Sequence, residues 1–264
     1  LRFDNATKEK SSSLLSVAEI EAASLATWPA LQTIEDGQWR ARFAAGFSGR
    51  SNAIWALDPA DDDNAAQRID ALSARYAEHD LPTVFRVTPL TGDGILDTLA
   101  DTKWERFKTS LVLSAPLTRT AGFDGAASLY DATDPAFLAA QTALQGFDTK
   151  QQETFAAILG ALKRPACGIV LAADDGTPGA SLLCVESDGI VMVYDVITSG
   201  ALRGQGFGRR MMASALSWGA ENGASHAALQ VQGDNGPAIA LYLALGFTFR
   251  YPYHYRRQPE AQAQ

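Results

Sequence analysis

The sequence predicts an α/β (α+β) chain, a mixed sheet with helices on its faces, arranged in two parts. Three observations lead there. The second half reads as two helices, an antiparallel run of strands joined by Asp-Gly turns, and then β-α-β-α-β to its end. The first half mixes short apolar runs with helix-period segments. The 264 residues are 47% apolar and 20% charged, enough to build a globular core.

The elements follow in order. Residues 14–27 carry apolar and small residues at helical spacing, and Pro29 closes the run. Residues 38–47 alternate as a strand, and 50–57 read as its partner across Ser48-Gly49. The acidic turn from Asp58 to Asn64 suits helix capping better than a metal loop, and a helix runs on to about Glu78. A strand at 83–87, a helix at 93–100 and a strand at 104–114 complete this half. Residues 115–126 hold Pro, Gly and Thr with little periodicity and mark the boundary. Helices are then expected at 134–145 and 150–162, and strands at 167–173, 179–187 and 190–198. A helix at 206–222, a strand at 226–232, a helix at 236–245 and a strand at 247–256 follow. The expected division is 1–117, a linker at 118–126, a catalytic part at 127–257 and a disordered tail at 258–264.

Composition also excludes functions. Lys and Arg number 22 against 30 Asp and Glu, a net charge of −8. Nucleic-acid binding needs clustered cations, so none is expected. No apolar run approaches the length of a membrane span. The opening LRFDNATKEKSSS lacks an apolar stretch and a small-residue cleavage site, so no leader is expected and a cytoplasmic location is read. The sequon at Asn5 carries no weight there. Cys167 and Cys184 sit in strand-like runs and read as buried hydrophobes. His79, His226 and His254 share no ligand spacing, so no metal is expected. A homodimer is compatible with the sequence.

The most informative segment runs from Val196 through Gly200, Gly204, Gly206 and Gly208 to Arg210. An apolar strand (IVMVYDVIT) ends, the chain turns through glycines, and a helix begins at Phe207. Such a turn aims free backbone N–H groups outward at the positive end of the helix dipole, which suits an anion. Arg209 and Arg210 in the first helical turn oppose that dipole and call for an anionic partner, for which diphosphate is the natural candidate. The glycine spacing fits neither the dinucleotide fingerprint nor the Walker loop. On the glycines alone, an ordinary strand–turn–helix stays open.

Arg203-x-x-Gly206-x-Gly208 resembles the acetyl-CoA pyrophosphate loop of the GNAT N-acetyltransferase superfamily, whose pattern is [QR]-x-x-G-x-[GA]. Downstream, DNGPAIALYLALGF resembles the family's N-x-x-A-x-x-L-Y-x-x-L-G-F segment, placing Asn235 and Tyr242. The pair of motifs covers about residues 190–250. Trp28-Pro29, Gly37-x-Trp39, Arg50-x-Asn52 and the ending Tyr253-His254-Tyr255-Arg256 are similar to a two-part bacterial subgroup whose first half is a reduced GNAT-like domain. The resemblance implies a tandem GNAT acyl-CoA N-acyltransferase fold and an acetyl-CoA-dependent enzyme acting on an amine, either a small molecule or a lysine-bearing peptide. It implies that backbone groups of Val196, Ile197 and Thr198 pair with the pantetheine arm. Arg203, Gly204, Gln205, Gly206, Phe207, Gly208 and Arg209 would hold the pyrophosphate. Asn235 would bond the cofactor, and Tyr242 would protonate the leaving thiolate. Read as residues alone, Asn235 is a helix N-cap and Tyr242 a core aromatic.

The pattern departs in one place. Some relatives carry a Glu five residues before the Asn as general base, and here that position is Gln230, which cannot take a proton. Gln230 is left as a water or substrate ligand. Asp195, inside its apolar strand, is the alternative base, with Glu186 and His254 as further acids and bases that reach the cleft or serve structure alone. Arg50, Asn52 and Trp39 are candidates for the acceptor pocket, against a reading as hairpin surface and core. A non-catalytic acyl-CoA-binding module is the competing function.

Overall fold

The computed structural model describes residues 14–117 and 122–259. The leader and sequon readings, most of the tail and the first half of the expected linker lie outside them.

The first half opens with α1 (Val17–Thr27), started by a capping box in which Ser16 and Glu19 satisfy each other's end groups. It continues with β1 (Gln32–Asp36), β2 (Trp39–Phe43), β3 (Ile54–Ala56), α2 (Ala65–Ala77), β4 (Val84–Val87), α3 (Asp93–Asp101) and β5 (Glu105–Pro116). The second half contains β6 (Ala127–Asp131), α4 (Pro135–Gln145), α5 (Thr149–Gly160), β7 (Ala166–Ala172), β8 (Pro178–Ser187) and β9 (Ile190–Thr198). A single 3-10 turn, Gly200–Leu202, leads to α6 (Phe207–Glu221), β10 (His226–Gln232), α7 (Gly236–Ala244) and β11 (Thr248–Arg257).

Among the described residues, eleven strands form one sheet in the order β1-β2-β3-β4-β11-β5-β10-β9-β8-β7-β6. The middle of that order shows an exchange. β5, from the first half, lies antiparallel between β10 and β11 of the second. β11, the last strand, lies antiparallel between β4 and β5 of the first. Each half lends a strand to the other, so the sheet is continuous across the expected boundary.

The core divides by sheet face and by half. One cluster joins α1, α4 and α5 to the face carrying Leu183, Val185, Met192 and Tyr194. The opposite face carries Leu182, Cys184, Val191 and Val193 and is covered by Met211, Ala215 and Trp218 of α6. A third cluster, with Trp39, Ile69, Phe85 and Leu99, fills the space under α2 and α3. Cys167 and Cys184 are free, buried and directly opposed across β7 and β8.

Two expectations need correction. β2 and β3 do pair, but Ser48-Gly49 is not a tight hairpin turn; it lies inside loop 44–53. Two strands, β1 and β6, carry no signal in the sequence reading. Both are edge strands with exposed faces, so neither shows the alternation that burial imposes.

Candidate active site

The site begins with how β9 and β10 part. They pair in parallel from His226↔Ile190 to Leu229↔Val193 and no further. β10 stays on β5 as far as Gln232↔Ser110, while β9 stays on β8 as far as Ala180↔Thr198. The far end of β9 is therefore free of β10 and keeps unused backbone groups on that edge.

A bulge aims this free end. Between Leu183↔Tyr194 and Ser181↔Ile197 the register slips by one extra residue on β9. Asp195 takes up the slip with φ 49°. A left-handed non-glycine residue costs about 1–3 kcal/mol, so its surroundings must hold it there.

The 3-10 turn then leads into α6. Its N-cap is Gly206 at φ 85°, with no side chain capping the helix, and Gly204 lies at φ 75°. Both glycines have open space where a Cβ would stand, so backbone conformation rather than crowding demands them. Gly208 differs, since a Cβ there would meet Leu241 Cδ2 at 3.0 Å. The first-turn amides of α6 at Phe207, Gly208 and Arg209 thus have no helical acceptor.

β9, the α6 turn and α7 enclose a cavity of about 670 Å³. Its lining brings together Val196, Ile197, Thr198, Arg203, Gly204, Gly206, Phe207, Gly208, Arg209, Asn235 and Tyr242. Gln205 alone of the predicted binding set is not in the lining; its side chain turns back to the Ala201 carbonyl at 2.9 Å. Leu202, Pro237, Ala238 and Leu241 complete the apolar wall. Sequence reasoning passed over these, although 238, 241 and 242 share a helix face at i, i+3 and i+4. Asn235 caps α7 through its side-chain oxygen, 3.2 Å from the Ala238 amide, while also lining the cavity. Tyr242 is almost fully buried, and desolvation pushes its phenol up to about 12.

The arginine pair is split. Arg209 and Arg203 line the cavity. Arg210 instead forks onto Asp124, which burial and sequence context left unforeseen. The expectation that both arginines await an outside anion is therefore corrected for Arg210.

The remaining candidates lie elsewhere. Asp195 accepts from Arg50 at 2.7 Å, and the Arg50 guanidinium lies over the rings of Trp28, which ends α1, and Tyr194 of β9. Asn52 accepts from the Ala44 and Gly46 amides at 2.8 and 2.9 Å and donates to the Ser48 carbonyl at 2.8 Å, which shapes loop 44–53. Gln230 bridges Ser24 of α1 at 3.2 Å and Tyr253 of β11 at 2.9 Å. Glu186 sits at the opposite end of β8 from the cavity, holding the Gly189 amide of the hairpin turn at 2.8 Å. Trp39 is core, with its indole on the Asp61 carbonyl at 2.7 Å. His254 lies on β11 against Val87, and burial with Arg106 and Arg256 nearby pulls it down to about 4. No carboxylate or imidazole lines the cavity among the described residues.

The acidic turn before α2 ties neighbouring elements of the first half together. In the turn before α2, Asp61 takes the Gln38 amide at 2.6 Å and pairs with Arg68 at 2.9 Å. Asp62 takes the Gly94 amide at 2.7 Å. A Cβ at Gly92 would stand 2.4 Å from the Pro59 carbonyl. The acidic turn thus supplies pairing partners and a cap for α3, but not the expected cap for α2, which starts at Asn64 with no side chain on its first-turn amides. No cluster of metal-ligating side chains occurs among the described residues. No described helix is long and apolar enough to cross a membrane.

Comparison with known proteins agrees with this fold. A relative from Bacillus subtilis (strain 168), named uncharacterized N-acetyltransferase YobR, is 25% identical over 248 residues, covering 91% of this chain and 98% of its own length. The solved structure of a GCN5-related N-acetyltransferase from Kribbella flavida superposes with a TM-score of 0.69 at 16% identity, covering 94% of this chain and 98% of that one. A tandem GNAT protein from the clavulanic acid biosynthesis pathway gives 0.59 at 14% identity, covering 80% and 76%. Residues 16–257, both halves together, match the family described as "Probable histone acetyltransferase Rv0428c C-terminal". The chain belongs to that family, within the GNAT superfamily of N-acetyltransferases, and is an acyltransferase.

Proposed function

We propose that this chain transfers the acetyl group of acetyl-CoA to a primary amine, with donor and acceptor bound together. The observation that carries the proposal is the cavity at the parting of β9 and β10. It joins an unpaired strand edge, an uncapped helix N-terminus, two arginines and a buried phenol. Acetyl-CoA fits that set by charge and shape, and it supplies an activated acetyl thioester when bound.

The chain's own residues divide the work. Arg203, Arg209 and the first-turn amides of α6 bind diphosphate oxygens, helped by the helix dipole. The free edge at Val196–Thr198 takes an extended amide-bearing arm as an added strand. Asn235 contributes its side chain beside that arm while still capping α7. Tyr242 holds its proton through the neutral range and gives it to the departing sulfur. Orienting both reactants in one cleft supplies much of the rate.

No enzymic base is assigned. Gln230 is neutral and bridges α1 to β11, Glu186 is remote, and Asp195 is paired with Arg50. The acceptor nitrogen enters as the free amine or releases its proton to water. The family's description points to a protein lysine as acceptor, and the net acidity of this chain suits a cationic one. The test is release of free thiol from acetyl-CoA with a panel of small amines and lysine-bearing peptides. Amine-dependent release is expected, and tight acetyl-CoA binding with no turnover on any acceptor would contradict transfer.

A further inference from the structure

We infer that Arg50, from the first half of the chain, is a positioning residue for the reacting end of the donor, acting through Asp195. This rests on the acyl-CoA reading and adds to it a task for the first half.

Asp195 is the bulged residue immediately before Val196–Thr198, the free edge of the cleft. Contacts to its carbonyl and its carboxylate hold it in its left-handed conformation, among them Gln145 Nε2 at 3.5 Å from the carbonyl. Its carbonyl accepts from Gln141 of α4 at 3.1 Å. Its carboxylate accepts from Arg50 at 2.7 Å. Arg50 is itself fixed. Its guanidinium lies 4.3 Å from the Trp28 ring centre and 5.2 Å from that of Tyr194, whose hydroxyl bonds Thr27 at 2.7 Å. Its carbonyl accepts from buried Arg42 of β2 at 2.5 Å. Asn52 braces the loop from within, and Gly49 lies so close to Tyr255 that a Cβ would stand 2.7 Å from the ring. An arginine anchored by β2, α1 and β11 thereby sets the backbone of β9 where the cleft opens. The adenine-side anion site at Arg203–Arg209 lies beyond Thr198 and takes no support from this contact.

That separation supplies the test. Calorimetric titrations would compare acetyl-CoA with its nucleotide fragment, adenosine 3′-phosphate 5′-diphosphate, on wild type, Arg50→Met, Asp195→Asn and the double variant. Asn tolerates the left-handed conformation and keeps the side-chain shape, so the fold survives that change. The expected result is a loss on the order of tenfold in acetyl-CoA affinity in each single variant, the scale a small misplacement imposes. The double variant should lose no more than either single, because both remove one contact. Fragment affinity should stay within about twofold, the usual limit for independent sites. Unchanged acetyl-CoA affinity, or equal loss for both ligands, overturns the positioning role. A wild-type protein that takes neither ligand overturns the acyl-CoA reading and this inference with it.

Discussion

Arg210 grips Asp124 with two parallel bonds, Nε to Oδ2 at 2.8 Å and Nη2 to Oδ1 at 2.9 Å. The neighbouring Arg209 forms no ion pair among the described residues and lines the cavity. Two adjacent cations in one helical turn therefore have different tasks. Arg209→Ala should weaken CoA binding and flatten its salt dependence, while Arg210→Ala should leave both close to wild type. Titrations at low and high salt check this, and equal effects from the two substitutions would contradict it.

The same pair makes a pH prediction. Hydrogen bonds from Arg210, and then from the Ala126 amide, hold the Asp124 carboxyl down to about 2. A carboxylate with a depressed folded-state pKa adds stability above its unfolded value near 4, and that addition fades as pH falls toward 2. Wild type should exceed Arg210→Ala by up to about 1 kcal/mol at neutral pH, the range for partly exposed pairs. The difference should close in acid. Denaturant melts across pH 2–7 measure it, and a gap that persists at pH 2 would refute the assignment.

Tyr242→Phe isolates the proton donor. Turnover should fall on the order of 100-fold or more, with acetyl-CoA affinity little changed. Because burial holds the phenol near 12, no alkaline loss of activity from Tyr242 is expected below that pH. With no carboxylate or imidazole lining the cavity among the described residues, the rise of kcat/KM with pH should follow the pKa of each acceptor amine. A single enzymic pKa shared by chemically different amines would show that a protein base is at work.

Much of the second half was legible. The run from β9 into α6 announces itself because a largely apolar strand, left-handed glycines and an amphipathic helix are each imposed by backbone and burial. Arg210 and Asp195 were less legible, since their partners Asp124 and Arg50 are distant in sequence. Charge alone says that a buried or crowded ion needs a partner, not which one. The exchange of β5 and β11 was not legible at all. Either strand could have closed its own half's sheet, and only the three-dimensional pairing tells them apart.

Strand exchange predicts that neither half is self-sufficient. A protease site inserted between residues 117 and 122 should cut the chain yet leave the pieces associated, because β5 stays clamped between β10 and β11. Size-exclusion chromatography after cleavage should show one species of native size. Separation into two folded pieces would contradict the exchange.

A second stability test lies under the same junction. Arg86 of β4 forms a buried ion pair with both carboxylate oxygens of Glu21 in α1, and Tyr251 of β11 donates to Glu21. Arg86→Met leaves that carboxylate buried without its cation, which costs about 3–5 kcal/mol. Thermal melts should show Tm lower by on the order of 10 °C. An unchanged Tm would mean the pair is not formed.

The most direct test of the cleft is a calorimetric titration of the intact chain with CoA, run beside Gly206→Val. One equivalent should bind, in the cleft where β9 parts from β10. A valine cannot easily adopt φ 85°, so the variant should lose most of that affinity. No heat with wild type, two equivalents bound, or full affinity in Gly206→Val would each contradict the account.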